Sequence, residues 1–133
     1  MRLAADANVL ISAAARHAAF KVVSAPGVEV LTTESALWDA SKYGPAVVAK
    51  YGSDPEMFAR ALHSLGTKSV PRVVYHTRLG KAFRRIGARD PDDAELLALA
   101  IALRMPLWSN DKDFRRARHT WYTTRQLLAK LGI

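Results

Sequence analysis

Short apolar runs alternate with longer helical stretches along the whole chain. Residues 3–5 read as a strand closed by Asp6, and residues 8–20 as the helix after it. Pro26-Gly27 turns the chain into a second strand at 28–31. Thr33 caps a helix running to about residue 43, with Glu34 in its first turn, where a negative charge suits the helix dipole. Gly44-Pro45 is expected to break that helix, and Pro45 to start a short second one. Ser53 or Asp54 caps another, with Pro55 first inside and an end near Gly66. Residues 70–75 are strand-like but carry Pro71, which suits a sheet edge. Residues 77–86 predict a basic helix stopped by Gly87. Asp90 caps the next helix, with Pro91 first inside and Asp92, Asp93 and Glu95 close behind. Its body, 96–103, is apolar all round, so this helix should be the most buried. A strand at 106–108, a helical turn at 111–118, a strand at 120–123 and a helix at 124–131 complete the chain.

This alternation predicts a three-layer α/β/α domain with a mainly parallel sheet of about five strands. At 133 residues, a single domain over 1–133 is the simplest organisation. In such sheets ligands bind beyond the carboxyl ends of the strands. Asp6 and Asp111 follow strands directly. Asp39 lies about two turns into a helix, and Asp93 in the first turn of another.

Composition narrows the chemistry. There is no cysteine, so disulfides and thiolate metal sites are excluded, and the four histidines lack zinc-type spacing. The uncharged run 7–15 is too short to span a bilayer, and Asp6 interrupts any signal-peptide pattern, so a cytoplasmic protein with no membrane association is expected. A formal charge of +8 and a pI near 10.2 favour an anionic partner. Residues 67–89 contain Lys68, Arg72, Arg78, Lys81, Arg84, Arg85 and Arg89 and no acid, and Arg115, Arg116 and Arg118 form a second basic run. Tyr43, Tyr51, Tyr75, Trp121 and Tyr122 offer stacking surfaces, although most aromatics in a small domain are core.

Against this basic background, half of the 12 acids lie between 90 and 113. Two carboxylates ~4 Å apart repel by roughly 1 kcal/mol in water and ~4 at an effective dielectric of 20. A fold that gathers them needs a cation, and all-oxygen donors suit Mg²⁺ or Mn²⁺. Each acid also has a plainer role. Asp6 could cap the first helix, Asp90 and Asp92 suit a helix start, Asp39 could face solvent, and Asp111 and Asp113 could begin a helical turn. Other chemistries fit less well. Gly-Thr-Lys-Ser at 66–69 lacks the pattern of a phosphate loop, and no dinucleotide fingerprint or nucleophile elbow is present. A phosphoacceptor receiver domain needs paired acids after its first strand and a lysine after its fifth, where this chain has Asp6 alone and Arg125.

Three segments resemble the PIN-domain ribonucleases, in particular VapC-like toxins of toxin–antitoxin pairs. The opening Met-Arg-Leu-Ala-Ala-Asp-Ala-Asn-Val-Leu-Ile-Ser-Ala is similar to theirs. So are Asp-Pro-Asp-Asp-Ala-Glu-Leu-Leu from Asp90 and Pro-Leu-Trp-Ser-Asn-Asp-Lys-Asp-Phe from Pro106. The resemblance implies the sheet order 3-2-1-4-5 and metal-binding acids at Asp6, Asp93 and Asp111, with Asp113 as an auxiliary or alternative fourth. The family's second acid is usually a glutamate; the matching position is Asp39, a departure, while Glu34 has the usual type a turn and a half earlier. Asn8 and Ser109 match polar positions that orient the acids. The resemblance further implies a Mg²⁺- or Mn²⁺-dependent endoribonuclease, an RNA substrate, a small antitoxin partner and a homodimer. Arg78, Lys81, Arg84, Arg85, Arg115 and Arg116 would position the RNA backbone. The alternative is a non-catalytic nucleic-acid-binding module of the same fold.

Overall fold

Parallel strands place their carboxyl ends on one edge of a sheet, and here that edge collects the acids. The computed structural model describes residues 1–87 and 89–133. Five strands, β1 (Arg2–Ala5), β2 (Glu29–Thr33), β3 (Lys68–Val70), β4 (Leu107–Trp108) and β5 (Trp121–Tyr122), pair in parallel in the order β3-β2-β1-β4-β5. The helices are α1 (Ala7–Ala14), α2 (Ala18–Val23), α3 (Glu34–Ala49), α4 (Pro55–Ser64), α5 (Leu79–Ile86), α6 (Pro91–Leu103) and α7 (Thr124–Leu131). Among the described residues no helix is long and apolar enough to cross a membrane.

The period-two alternation of strand side chains sorts the core into two layers. Leu3, Ala5, Val30 and Trp108 face a cluster completed by α1, α2, α3, α4 and α7. Ala4, Leu31, Val70 and Leu107 face the second, filled largely by α6 with Ala82 of α5 and with Phe114. Because β1 is buried on both faces, its sequence is continuously apolar rather than alternating. Ala94 and residues 96–100 of α6 are all buried, as its unbroken apolar body predicts.

Three local expectations are corrected. The helix expected over 8–20 is divided into α1 and α2 at Arg16, which takes the left-handed conformation (φ 63°) and lays its guanidinium over the Phe20 ring. The strand expected over 70–75 occupies Lys68–Val70 instead; past Pro71 the chain coils into 3₁₀ turns at Arg72–Val74 and His76–Arg78, so α5 starts only at Leu79. Proline cannot donate to a sheet ladder, and the Tyr75 hydroxyl is drawn to Glu95 on α6.

The third correction bears on the site. Gly44-Pro45 does not end the helix: α3 runs through both residues to Ala49. A proline inside a helix costs ~3 kcal/mol, and packing offsets it. Gly44 has no side chain, so Phe58 of α4 lies directly on the α3 backbone, where a methyl group would overlap the ring. Gly44→Ala is therefore expected to destabilise the protein by a net ~1–2 kcal/mol, the overpacking outweighing the gain in helix propensity. A urea midpoint equal to or above the parent's would show that the ring moves aside without cost.

Candidate metal centre

Between β1 and β4 the chain order of the strands reverses, and the crevice beyond their carboxyl ends is the expected place for a ligand. Asp6 leaves β1 and Asp111 stands three residues beyond β4. The Ala5–Trp108 pairing brings Asp6 beside Ser109. From the flanks, α3 contributes Asp39 and the start of α6 contributes Asp90, Asp92 and Asp93. These six carboxylates, with Asn8, Tyr43 and Val47, line one cleft of about 270 Å³.

Asp6 is the most firmly held. One carboxylate oxygen accepts the Val9 backbone N–H at 2.9 Å, capping α1, and the other accepts the Ser109 hydroxyl. Ser109 is fully buried, and its Oγ accepts the Asp111 N–H at 3.0 Å, so one hydroxyl ties two acids together. The loop behind them is fixed by Trp121 Nε1 donating to the Ser109 carbonyl (2.8 Å) and by the Thr124 N–H donating to Asn110 Oδ1 (2.8 Å). Capping and cleft lining thus coexist at Asp6, and likewise at Asp90, whose carboxylate accepts the Asp92 N–H at 3.0 Å.

Burial raises the Asp6 pKa against the opposing pull of Ser109 and Val9, and the charges of Asp111 and Asp90 raise it further. Asp93 is pushed up to about 7, first by burial and then by Asp90, Asp111, Asp6 and Asp113. Asp92 is pushed up to about 6, first by burial and then by the Asp39 carboxyl beside it and the charges of Asp90 and Glu95. Each shift has the sign expected of buried, crowded carboxylates. Oxygen donors of this kind fit a hard divalent ion such as Mg²⁺ or Mn²⁺. Among the described residues, no three Asp, Glu or His side chains stand in a group that could hold one ion.

Other expected site residues fall elsewhere. Glu34 is exposed on the first turn of α3, outside the cleft, and adds its charge to the surroundings of Tyr75; of the two candidates for the second acid, the cleft contains Asp39. Asp113 borders a small adjoining pocket with Asp90, Asp93, Arg89 and Arg116, and pairs with Arg89 at 3.6 Å. Arg115 is exposed and donates to the Lys112 carbonyl, and Arg78 is exposed at the start of α5. Lys81, Arg84 and Arg85 join Arg118 in a separate basic cleft. A neighbouring hollow shared by Lys81, Arg85 and Arg118 includes Pro106 and Thr120, which precede β4 and β5, so this basic group lies towards the opposite edge of the sheet. Sequence reasoning left out Asp90 and Asp92 as cleft residues because their capping role sufficed; a helix start aimed at the carboxyl ends was the available signal.

A parallel α/β fold with carboxylates at its switch point defines the class of architecture. A PIN-domain family model matches residues 5–132, and the chain belongs to the PIN-domain family. Two solved structures share the fold. One is the crystal structure of VapBC2 from Rickettsia felis bound to a DNA fragment from their promoter, at 16% identity and TM-score 0.67, covering 92% of this chain and 98% of that one. The other is PAE2754 from Pyrobaculum aerophilum, at 18% identity and TM-score 0.66, covering 99% and 98%. No curated protein matches the chain.

Proposed function

We propose that this PIN-domain protein is a Mg²⁺- or Mn²⁺-dependent endoribonuclease, the toxin of a toxin–antitoxin pair. The observation that carries the reading is the meeting of Asp6, Asp39, Asp93 and Asp111 in one cleft at the carboxyl edge of the sheet. Family membership and the shared fold with VapBC2 support it. Asp6, Asp93 and Asp111 would hold the ion, with Asp39 as the second acid and Asp113 at the margin. A divalent ion held there would activate water and stabilise the charge that develops during phosphodiester hydrolysis.

The chain's own residues orient and charge the site. Ser109 and the Val9 N–H fix both oxygens of Asp6, so its lone pairs keep one direction. No serine, threonine or cysteine is among the described cleft residues, which suits direct attack by water rather than a covalent intermediate. Arg89 and Arg116 beside Asp93 would meet the phosphate backbone near the cut, and Lys81, Arg84 and Arg85 farther along the strand. A small antitoxin protein and a homodimer belong to the same proposal.

The test is incubation of the purified protein with several end-labelled RNAs in Mg²⁺, in Mn²⁺ and in EDTA. Internal cleavage is expected with either ion and none in EDTA. Binding without cleavage of any RNA in both ions would instead make the protein a non-catalytic nucleic-acid-binding module.

A further inference from the structure

The side of α3 next to the acid cleft carries an aromatic surface that the proposed chemistry does not use. Ala36, Asp39, Tyr43 and Val47 follow the three- and four-residue spacing of one helix face, and that face lines the cleft. Trp38 and Lys42 form the adjoining stripe. Trp38 is 57% exposed and Tyr43 53% exposed, unusual for rings of this size in a chain with well-filled core layers. Their ring centres lie 6.4 Å apart, edge to face at 87°. Lys42 places its ammonium over both rings, 4.5 Å from the Trp38 centre and 5.3 Å from that of Tyr43. Rings held in this way lose little freedom when a flat partner lands on them, and a phosphate would meet the same lysine.

We propose that Trp38 and Tyr43, with Lys42, form a stacking platform for unpaired bases at the edge of the acid cleft. This rests on the nucleic-acid reading of the cleft. Bases inside a duplex have no free face to offer, whereas an unpaired base stacks on an aromatic ring whatever its identity. Among possible occupants of an exposed aromatic face, nucleic acid is favoured by three features. The platform is continuous with the cleft through Tyr43, it carries a cation at the rings, and the chain has a net charge of +8.

The chain contains its own reporter. Of three tryptophans, Trp108 is fully buried, Trp121 is half-buried with its N–H on the Ser109 carbonyl, and Trp38 is open to solvent. The experiment titrates the parent, Trp38→Ala and Trp38→Phe in EDTA with a short single-stranded RNA and with the same sequence as a duplex. The single strand is expected to quench the parent's tryptophan emission and the duplex to leave it nearly unchanged. Trp38→Ala should bind the single strand roughly tenfold more weakly, with Trp38→Phe between. Equal single-strand affinity in Trp38→Ala and the parent would overturn the proposal, as would equal quenching by the duplex. Sedimentation of the same proteins exposes the rival occupant: an oligomer lost in Trp38→Ala with RNA affinity unchanged makes this face a protein contact and also overturns it. Cleavage in Mg²⁺ is scored separately. Trp38-dependent binding without cleavage keeps the platform and removes the nuclease, and cleavage indifferent to Trp38 does the reverse.

Discussion

Asp6→Asn is expected to lose RNA cleavage by on the order of a hundred- to a thousandfold while RNA binding survives, the scale on which removal of one electrostatic stabiliser acts. The substitution is nearly isosteric. The asparagine carbonyl can still accept the Val9 N–H and so keep most of the α1 cap. Burial and the neighbouring acids already disfavour the Asp6 charge, so removing it should not lower the melting temperature of the metal-free protein. A purely capping role would predict the opposite pattern, with activity intact and stability slightly reduced. Cleavage by Asp6→Asn that resists EDTA would reject the metal mechanism.

Stability should depend on pH and divalent ion together. The Asp93 carboxyl sits at about 7 in the folded protein, against an ordinary value of 3.8. Between those values the folded state keeps a proton that the unfolded state has released, so stability falls as pH rises from about 4 to about 7 and stays low above. An ion that binds only the folded state reverses the loss, adding roughly 2.7 kcal/mol at ~100 times its dissociation constant, or roughly 10 °C in melting temperature. In EDTA, Asp93→Asn should therefore melt above the parent at pH 8 and level with it near pH 4. Mg²⁺ or Mn²⁺ should raise the parent's melting temperature at pH 8 and that of Asp93→Asn much less. Equal rises in both proteins would count against a specific site.

The parts of the fold legible in the sequence are those where local and tertiary preferences agree. Asp90-Pro91 starts α6, its apolar body is the buried helix, and Asp6 ends the central strand. Where tertiary packing overrides a local signal, the sequence misleads. Gly44-Pro45 reads as a break, yet the missing Gly44 side chain admits Phe58 and α3 continues. That continuation carries Val47 into the cleft beside Tyr43. Val73-Val74-Tyr75 has strand composition, but Pro71 and the pull of Glu95 on Tyr75 coil it. In the site, strand-end acids were legible because a strand end has one place to point in a parallel sheet. Asp90 and Asp92 were not, since a capping residue gives no sign in sequence of facing a cleft as well. The distribution of cations was likewise hidden: Arg89 stays beside Asp93, whereas Lys81 and Arg85 share a hollow with Pro106 and Thr120, towards the other edge of the sheet.

If the carboxylates of this cleft hold a divalent ion, a crystal soaked in Mn²⁺ will show it most directly, through anomalous scattering. The expected result is a strong anomalous peak bound by Asp6, Asp93 and Asp111. A peak bound only by other residues, or none at saturating Mn²⁺, would contradict a metal centre here.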